Sequence, residues 1–205
     1  MGLPQRKSED TTHYTYADYK SWPEDVRYQL IDGVAFLMSP APTVGHQTVV
    51  LEVASQAHAA LKGTPCQVLT APLDVRLPKA EESDDQIDTV VQPDILVICD
   101  KEKIDRHGVR GAPDWVVEVL SPSTAGLDHV KKRRIYEQAG VREYWLIQPI
   151  DRVLMVYKLG DGENSKTEYG RPHTQELRGE TPVGVLDGVV IQWDELAARL
   201  PQPEY

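Results

Sequence analysis

A chain of 205 residues, 40% hydrophobic and 26% charged, is sized for one globular domain and excludes collagen-like, coiled-coil and largely disordered classes. Its apolar runs, such as those at 95–99 and 115–117, are strand-sized at most, so none reads as a membrane span. The net charge of -10 argues against tight non-specific DNA binding, which needs a basic footprint, yet residues 101–152 hold 10 basic against 8 acidic residues.

Residues 1–12 are polar and aperiodic and read as a tail; the domain is expected over 13–200, with a second short tail at 201–205. No apolar stretch follows the basic residues Arg6 and Lys7, so this segment does not read as a signal peptide. With two cysteines, Cys66 and Cys99, the chain offers neither a disulfide framework nor zinc spacing, and the expected location is the cytoplasm.

A short helix or turn at 14–22 closes at Pro23. Apolar runs at 26–31 and 34–38 flank Asp32-Gly33, a strong hairpin signal, and Ser39-Pro40 ends that hairpin. Val50, Val53, Ala54, Ala57 and Leu61 recur at helical spacing, predicting a helix over 43–61 with Gly63 as its stop. Strands are predicted at 67–70 and 73–77, then an acidic loop at 79–89. The run 90–99 reads as one buried strand interrupted at Pro93, and 114–120 as another, both covered on two faces. A helix over 128–139 ends at Gly140. Strands at 143–147 and 153–157 are joined by a turn at 149–151. A loop-rich stretch, a strand near 189–191 and a helix at 194–200 complete the chain. This order predicts an α/β chain (α+β mixed): a central mixed β-sheet flanked by helices, with an N-terminal β-hairpin.

Two carboxylates stand out. Asp94 opens a strand, and Glu118 lies within an apolar strand, where an ionised group needs a cation, a hydrogen-bonded partner or a raised pKa. Strand alternation puts Glu118 on one face with Asp114, Val116 and Leu120, and Trp115, Val117 and Val119 on the other. On the helix that follows, Asp128, Lys132, Ile135, Tyr136 and Ala139 share the side that would pack on the sheet, whereas Lys131, Arg134 and Gln138 lie elsewhere. Lys132 can therefore reach Asp94 and Glu118 and complete a site for metal-assisted phosphodiester cleavage. It can equally form a plain salt bridge with Asp128 four residues back.

The motifs Gln29-Leu30-Ile31-Asp32-Gly33, Ser39-Pro40 with His46, Pro93-Asp94, Gly111-Ala112-Pro113-Asp114, residues 117–124, Asp128, Lys132 and Tyr136, and residues 140–145 occur in one order. In that order they resemble the Uma-type restriction endonuclease family, a branch of the PD-(D/E)xK nuclease superfamily, across roughly residues 14 to 200. The resemblance implies a restriction-endonuclease-like core and a Mg²⁺-dependent site acting on DNA, with Mn²⁺ as substitute metal. It implies catalytic roles for Asp94, Glu118 and Lys132. Asp94 and Glu118 would hold the metal with the Val119 carbonyl as a further ligand, and Lys132 would assist the attacking water. In the basic superfamily pattern the lysine lies two residues after the acid, where this chain has Leu120; Lys132 matches the branch in which it has moved to the helix. Gln29 stands where relatives often carry glutamate, and Gln148 where aspartate is common.

His46, Gln29 and Asp74 form a second tier. His46 reads equally as a helix-surface or capping residue, and Asp74 as a loop-end salt-bridge partner. Residues 121–124 read as the turn that caps the following helix. A homodimer fits restriction-type cutting of a duplex. The alternative function is a catalytically weak or inactive nuclease-fold module that binds a partner, favoured by the net charge and by Gln29.

Overall fold

The Asp32-Gly33 turn builds the first hairpin as expected. In the computed structural model, which describes residues 12–23, 27–38, 41–121, 126–160 and 167–202, a short helix α1 (Tyr16–Tyr19) precedes β1 (Tyr28–Ile31) and β2 (Val34–Leu37). β1 and β2 pair antiparallel, and Asp32 (φ 48°) and Gly33 (φ 76°) both adopt the left-handed backbone that a two-residue hairpin turn requires. Most of the expected N-terminal tail, Val26, Ser39-Pro40, the helix-capping turn at 122–124 and residues 203–205 lie outside the described residues.

Helix α2 (Val44–Ala60) begins at Thr43, whose hydroxyl accepts from the His46 backbone N–H, and buries Gly45, Val49, Val53 and Ala57 along one stripe. β3 (Gln67–Thr70) follows as predicted, whereas the strand expected at 73–77 shrinks to β4 (Val75–Arg76). The run 90–99 is not one interrupted strand. It is β5 (Val90–Val91) and β6 (Ile95–Ile98), and they belong to different sheets. Pro93 has no N–H to donate, so the ladder breaks there and the chain changes sheet. A hairpin unforeseen from sequence, β7 (Ile104–Asp105) and β8 (Gly108–Arg110), leads into β9 (Trp115–Val119).

A π-helical turn at Leu127–Lys132 then runs into α3 (Arg133–Ala139), which stops at left-handed Gly140 (φ 88°). Next come β10 (Glu143–Gln148), β11 (Val153–Lys158), β12 (His173–Glu176), β13 (Glu180–Pro182), β14 (Val190–Gln192) and α4 (Asp194–Arg199). One sheet has the order β2-β1-β5-β4-β8-β7, the other β12-β11-β10-β9-β6-β3, and β13 pairs with β14 apart from both. Within the second sheet only β9 and β10 run parallel.

The alternation predicted for β9 separates two cores. Trp115, Val117 and Val119 pack with the α2 stripe and with Trp145 and Trp193, the Trp115 and Trp145 rings meeting edge-on at 5.0 Å. Val116 and Leu120 pack the other way, against Ile31, Val75 and Val91 of the first sheet and Ile135 and Tyr136 of α3. Glu118 belongs to this second face. The acidic stretch read as a loop is tied down: Arg76, fully buried, pairs with Asp84 and Asp105, and Arg110 Nε reaches Asp84 Oδ1 at 2.7 Å.

Cys66 and Cys99 are joined, which corrects the expectation of no disulfide. Gln67 sits opposite Ile98 in the β3–β6 register, so one further step sets Cys66 opposite Cys99. Their separation of 33 residues hides a proximity that only strand pairing reveals. By loop closure, reduction is expected to lower stability by about 3–4 kcal/mol. Urea melts with and without reductant, with Cys66→Ser as control, measure this; an unchanged midpoint would mean that the pair is not bridged in solution. No described helix is long and apolar enough to cross a membrane.

Candidate active site

The break at Pro93 positions the first acid. Ile95 lies opposite Val117, so one more step of the antiparallel register brings Asp94 opposite Glu118 on the same face. Asp94 Oδ2 accepts the Val119 N–H at 2.8 Å, which fixes the carboxylate at the end of β9. That end is also the carboxyl end of the parallel β9–β10 pair, the customary ligand side of such strands. Like charges opposite one another on neighbouring strands repel and call for a cation.

Lys132 is that cation. Its Nζ stands 2.9 Å from Glu118 Oε1 and 3.1 Å from Asp128 Oδ1, with the Glu118 side chain 3% and the Lys132 side chain 6% exposed. Lys132 thus pairs with Glu118 and, as its spacing allowed, with Asp128 four residues back. Tyr136 donates its hydroxyl to Glu118 Oε1 at 2.7 Å, and Tyr144 donates to the Asp128 carbonyl at 3.2 Å. The π-helical turn widens this segment, the Arg133 N–H reaching the Asp128 carbonyl, and π turns are frequent at functional sites. Asp128 and Lys132 are buried while Lys131 and Arg134 stay exposed.

Burial raises the Glu118 carboxyl to about 8; Lys132 opposes the shift, and Asp128 and Asp94 add to it. For Lys132 burial works against the charge, but Glu118, Asp128 and Asp94 outweigh it and hold the ammonium above its ordinary value. Lys132 is therefore a fixed positive charge rather than a proton acceptor. Burial, reinforced by Glu118, pushes the Tyr136 phenol well above its usual range, so it remains a donor.

The second-tier residues divide. His46 reaches over from the first turn of α2, its Nε2 3.2 Å from Asp94 Oδ2 and its Nδ1 buried without a hydrogen-bond partner among the described residues. Gln29, 5% exposed, shares its side of β1 with Ile31, which packs in the core between the sheets. Asp74 is spent elsewhere: it accepts from Tyr19 Oη at 2.9 Å and from Gln92 Nε2 at 2.8 Å, a hydrogen-bonded group rather than the expected salt bridge. Sequence reasoning gave Tyr136 no role, although its place four residues after Lys132 puts both on one helix face.

Among the described residues no group of three or more His, Cys, Asp or Glu forms a metal cage. Mg²⁺ does not require one, since it keeps several waters and is held through one or two carboxylates. The donors here suit it. Buried Gln29 Oε1 and Gln148 Oε1 have no hydrogen-bond partner among the described residues, and both are hard oxygen acceptors. Gln148 shares its face of β10 with Leu146, which sits opposite Glu118.

A mixed sheet flanked by helices is the architecture of restriction-endonuclease-like nuclease folds. The chain belongs to the Uma2 family, described as "putative restriction endonuclease", whose pattern it matches over residues 16–188. Among solved structures it is similar to a "putative nuclease belonging to DUF820" from Anabaena variabilis, with a TM-score of 0.68 and 20% identity, covering 90% of this chain and 97% of that one. No curated protein matches significantly.

Proposed function

We propose that the protein is a metal-dependent endonuclease that hydrolyses phosphodiester bonds in DNA. The observation that carries the reading is the meeting of Asp94, Glu118 and Lys132, three residues from three separated stretches of chain, at one strand end. Asp94 and Glu118 would hold Mg²⁺, or Mn²⁺ in its place, with the Val119 carbonyl as a further ligand. When bound, the metal supplies Lewis acidity to a phosphoryl oxygen and a more acidic water. Lys132, held charged, orients that water and stabilises negative charge developing on the phosphoryl group. Exposed Lys131 and Arg134, flanking the buried lysine, offer local cations to a phosphate backbone despite the acidic chain.

The experiment is cleavage of plasmid and single-stranded DNA at low salt with Mg²⁺ or Mn²⁺, beside the Glu118→Ala protein. Metal-dependent cutting that vanishes in the variant is the expected result. Cutting that survives it would remove Glu118 from the site. If neither metal binds nor DNA is cut, the non-catalytic module, supported by the amide at Gln29, takes its place.

A further inference from the structure

We propose that Tyr136 and His46 are positioning residues, each restraining one metal-site carboxylate by a single oxygen so that its other oxygen is presented to the cation. The inference rests on the nuclease reading above. Among the described residues the Tyr136 hydroxyl at 2.7 Å and Lys132 Nζ at 2.9 Å both fall on Oε1 of the Glu118 carboxylate. The same division recurs on Asp94, where the Val119 N–H at 2.8 Å and His46 Nε2 at 3.2 Å both address Oδ2. Two acids on different strands are thus gripped on one oxygen each.

The two grips come from opposite sides of the sheet. Tyr136 belongs to α3, in the core shared with the first sheet, and His46 to α2, anchored in the other core through Val49 and Val53. Tyr136 is fully buried, with its ring 5.0 Å from that of Tyr144. Packing alone would be met by phenylalanine, so the hydroxyl is there for Glu118. The His46 Nδ1 has no hydrogen-bond partner among the described residues, which leaves Asp94 as the polar group its ring addresses. A ligand already held in one rotamer binds metal without first being ordered, and partners of this kind typically contribute 10–100-fold in affinity.

The test is Mg²⁺ calorimetry on wild type, Tyr136→Phe, His46→Ala and His46→Gln, each first shown to be folded by circular dichroism. Tyr136→Phe and His46→Ala are expected to bind about 10–100-fold more weakly. Saturating Mg²⁺ should restore most of their cutting rate, and His46→Gln, whose amide N–H can still approach Asp94, should recover affinity. A residue serving packing alone would leave the metal isotherm unmoved. If wild type takes up neither Mg²⁺ nor Mn²⁺, the nuclease reading falls and this inference with it. Where wild type binds and both Tyr136→Phe and His46→Ala bind equally well, the nuclease reading stands and the positioning role is overturned. His46→Gln no better than His46→Ala removes His46 alone. Should Tyr136→Phe fail to fold, the two His46 variants decide.

Discussion

Replacing Lys132 with methionine is expected to cost the metal-free protein about 3–5 kcal/mol at about pH 9, where Glu118 is ionised, because it strips the cation from a buried ion pair and leaves the acids facing one another. Glu118, Asp128 and Asp94 all act on the Lys132 ammonium, so its loss exposes each carboxylate to the others. Methionine fills much of the same volume, which keeps the effect electrostatic rather than a cavity. The deficit should shrink as pH falls through about 8 and Glu118 takes up a proton. Urea melts of wild type and Lys132→Met at about pH 9 and about pH 5 measure the difference. Equal stability at both values would show that Lys132 does not neutralise the acids. In the cleavage assay the same variant should lose on the order of 10²–10³ in rate, the usual consequence of removing one fixed charge-stabilising group.

Metal affinity should rise steeply with pH and then level. Burial holds the Glu118 carboxyl up at about 8, so below that value a proton occupies the group proposed to hold the cation. Each pH unit up to about 8 should therefore tighten Mg²⁺ binding about tenfold, with one proton released, and affinity should flatten above it. Calorimetry in two buffers of different ionisation enthalpy reads the proton directly. Glu118→Gln should bind far more weakly, with a nearly flat pH profile. The same raised pKa gives the metal-free protein stability that is fully present below the ordinary carboxylate value and is lost as pH rises through about 8. Wild type binding Mg²⁺ with no dependence on pH would separate Glu118 from the metal.

Much of this was readable from local pattern. The Asp32-Gly33 hairpin, the α2 stripe and the two faces of β9 each depend on neighbours in sequence, and the structure reproduces them. Lys132 was chosen over Lys131 by helical phase, and only Lys132 is buried. What could not be read were events set by tertiary pairing. The passage of 90–99 from one sheet to the other looks in sequence like a single apolar run, because both halves are equally buried. The Cys66–Cys99 bridge follows from the β3–β6 register, which no spacing encodes. Asp74 was nominated for its charge, yet its surroundings satisfy it with neutral donors. The hydroxyl of Tyr136 was legible as an aromatic to bury, not as a donor, since burial alone does not say what a polar tip will meet.

The change of sheet at Pro93-Asp94 makes Asp94 a seam. One neighbour in the chain leads back into β5 and the first sheet, and the next opens β6 in the second. A carboxylate fixed at a seam takes its position from both layers at once, so the core that Val91 and Val116 share acts as the calibration of the candidate site. In this architecture, drift between the layers and loss of ligand geometry are the same event. The candidate site is in effect a gauge of whether the two halves of the fold are correctly seated.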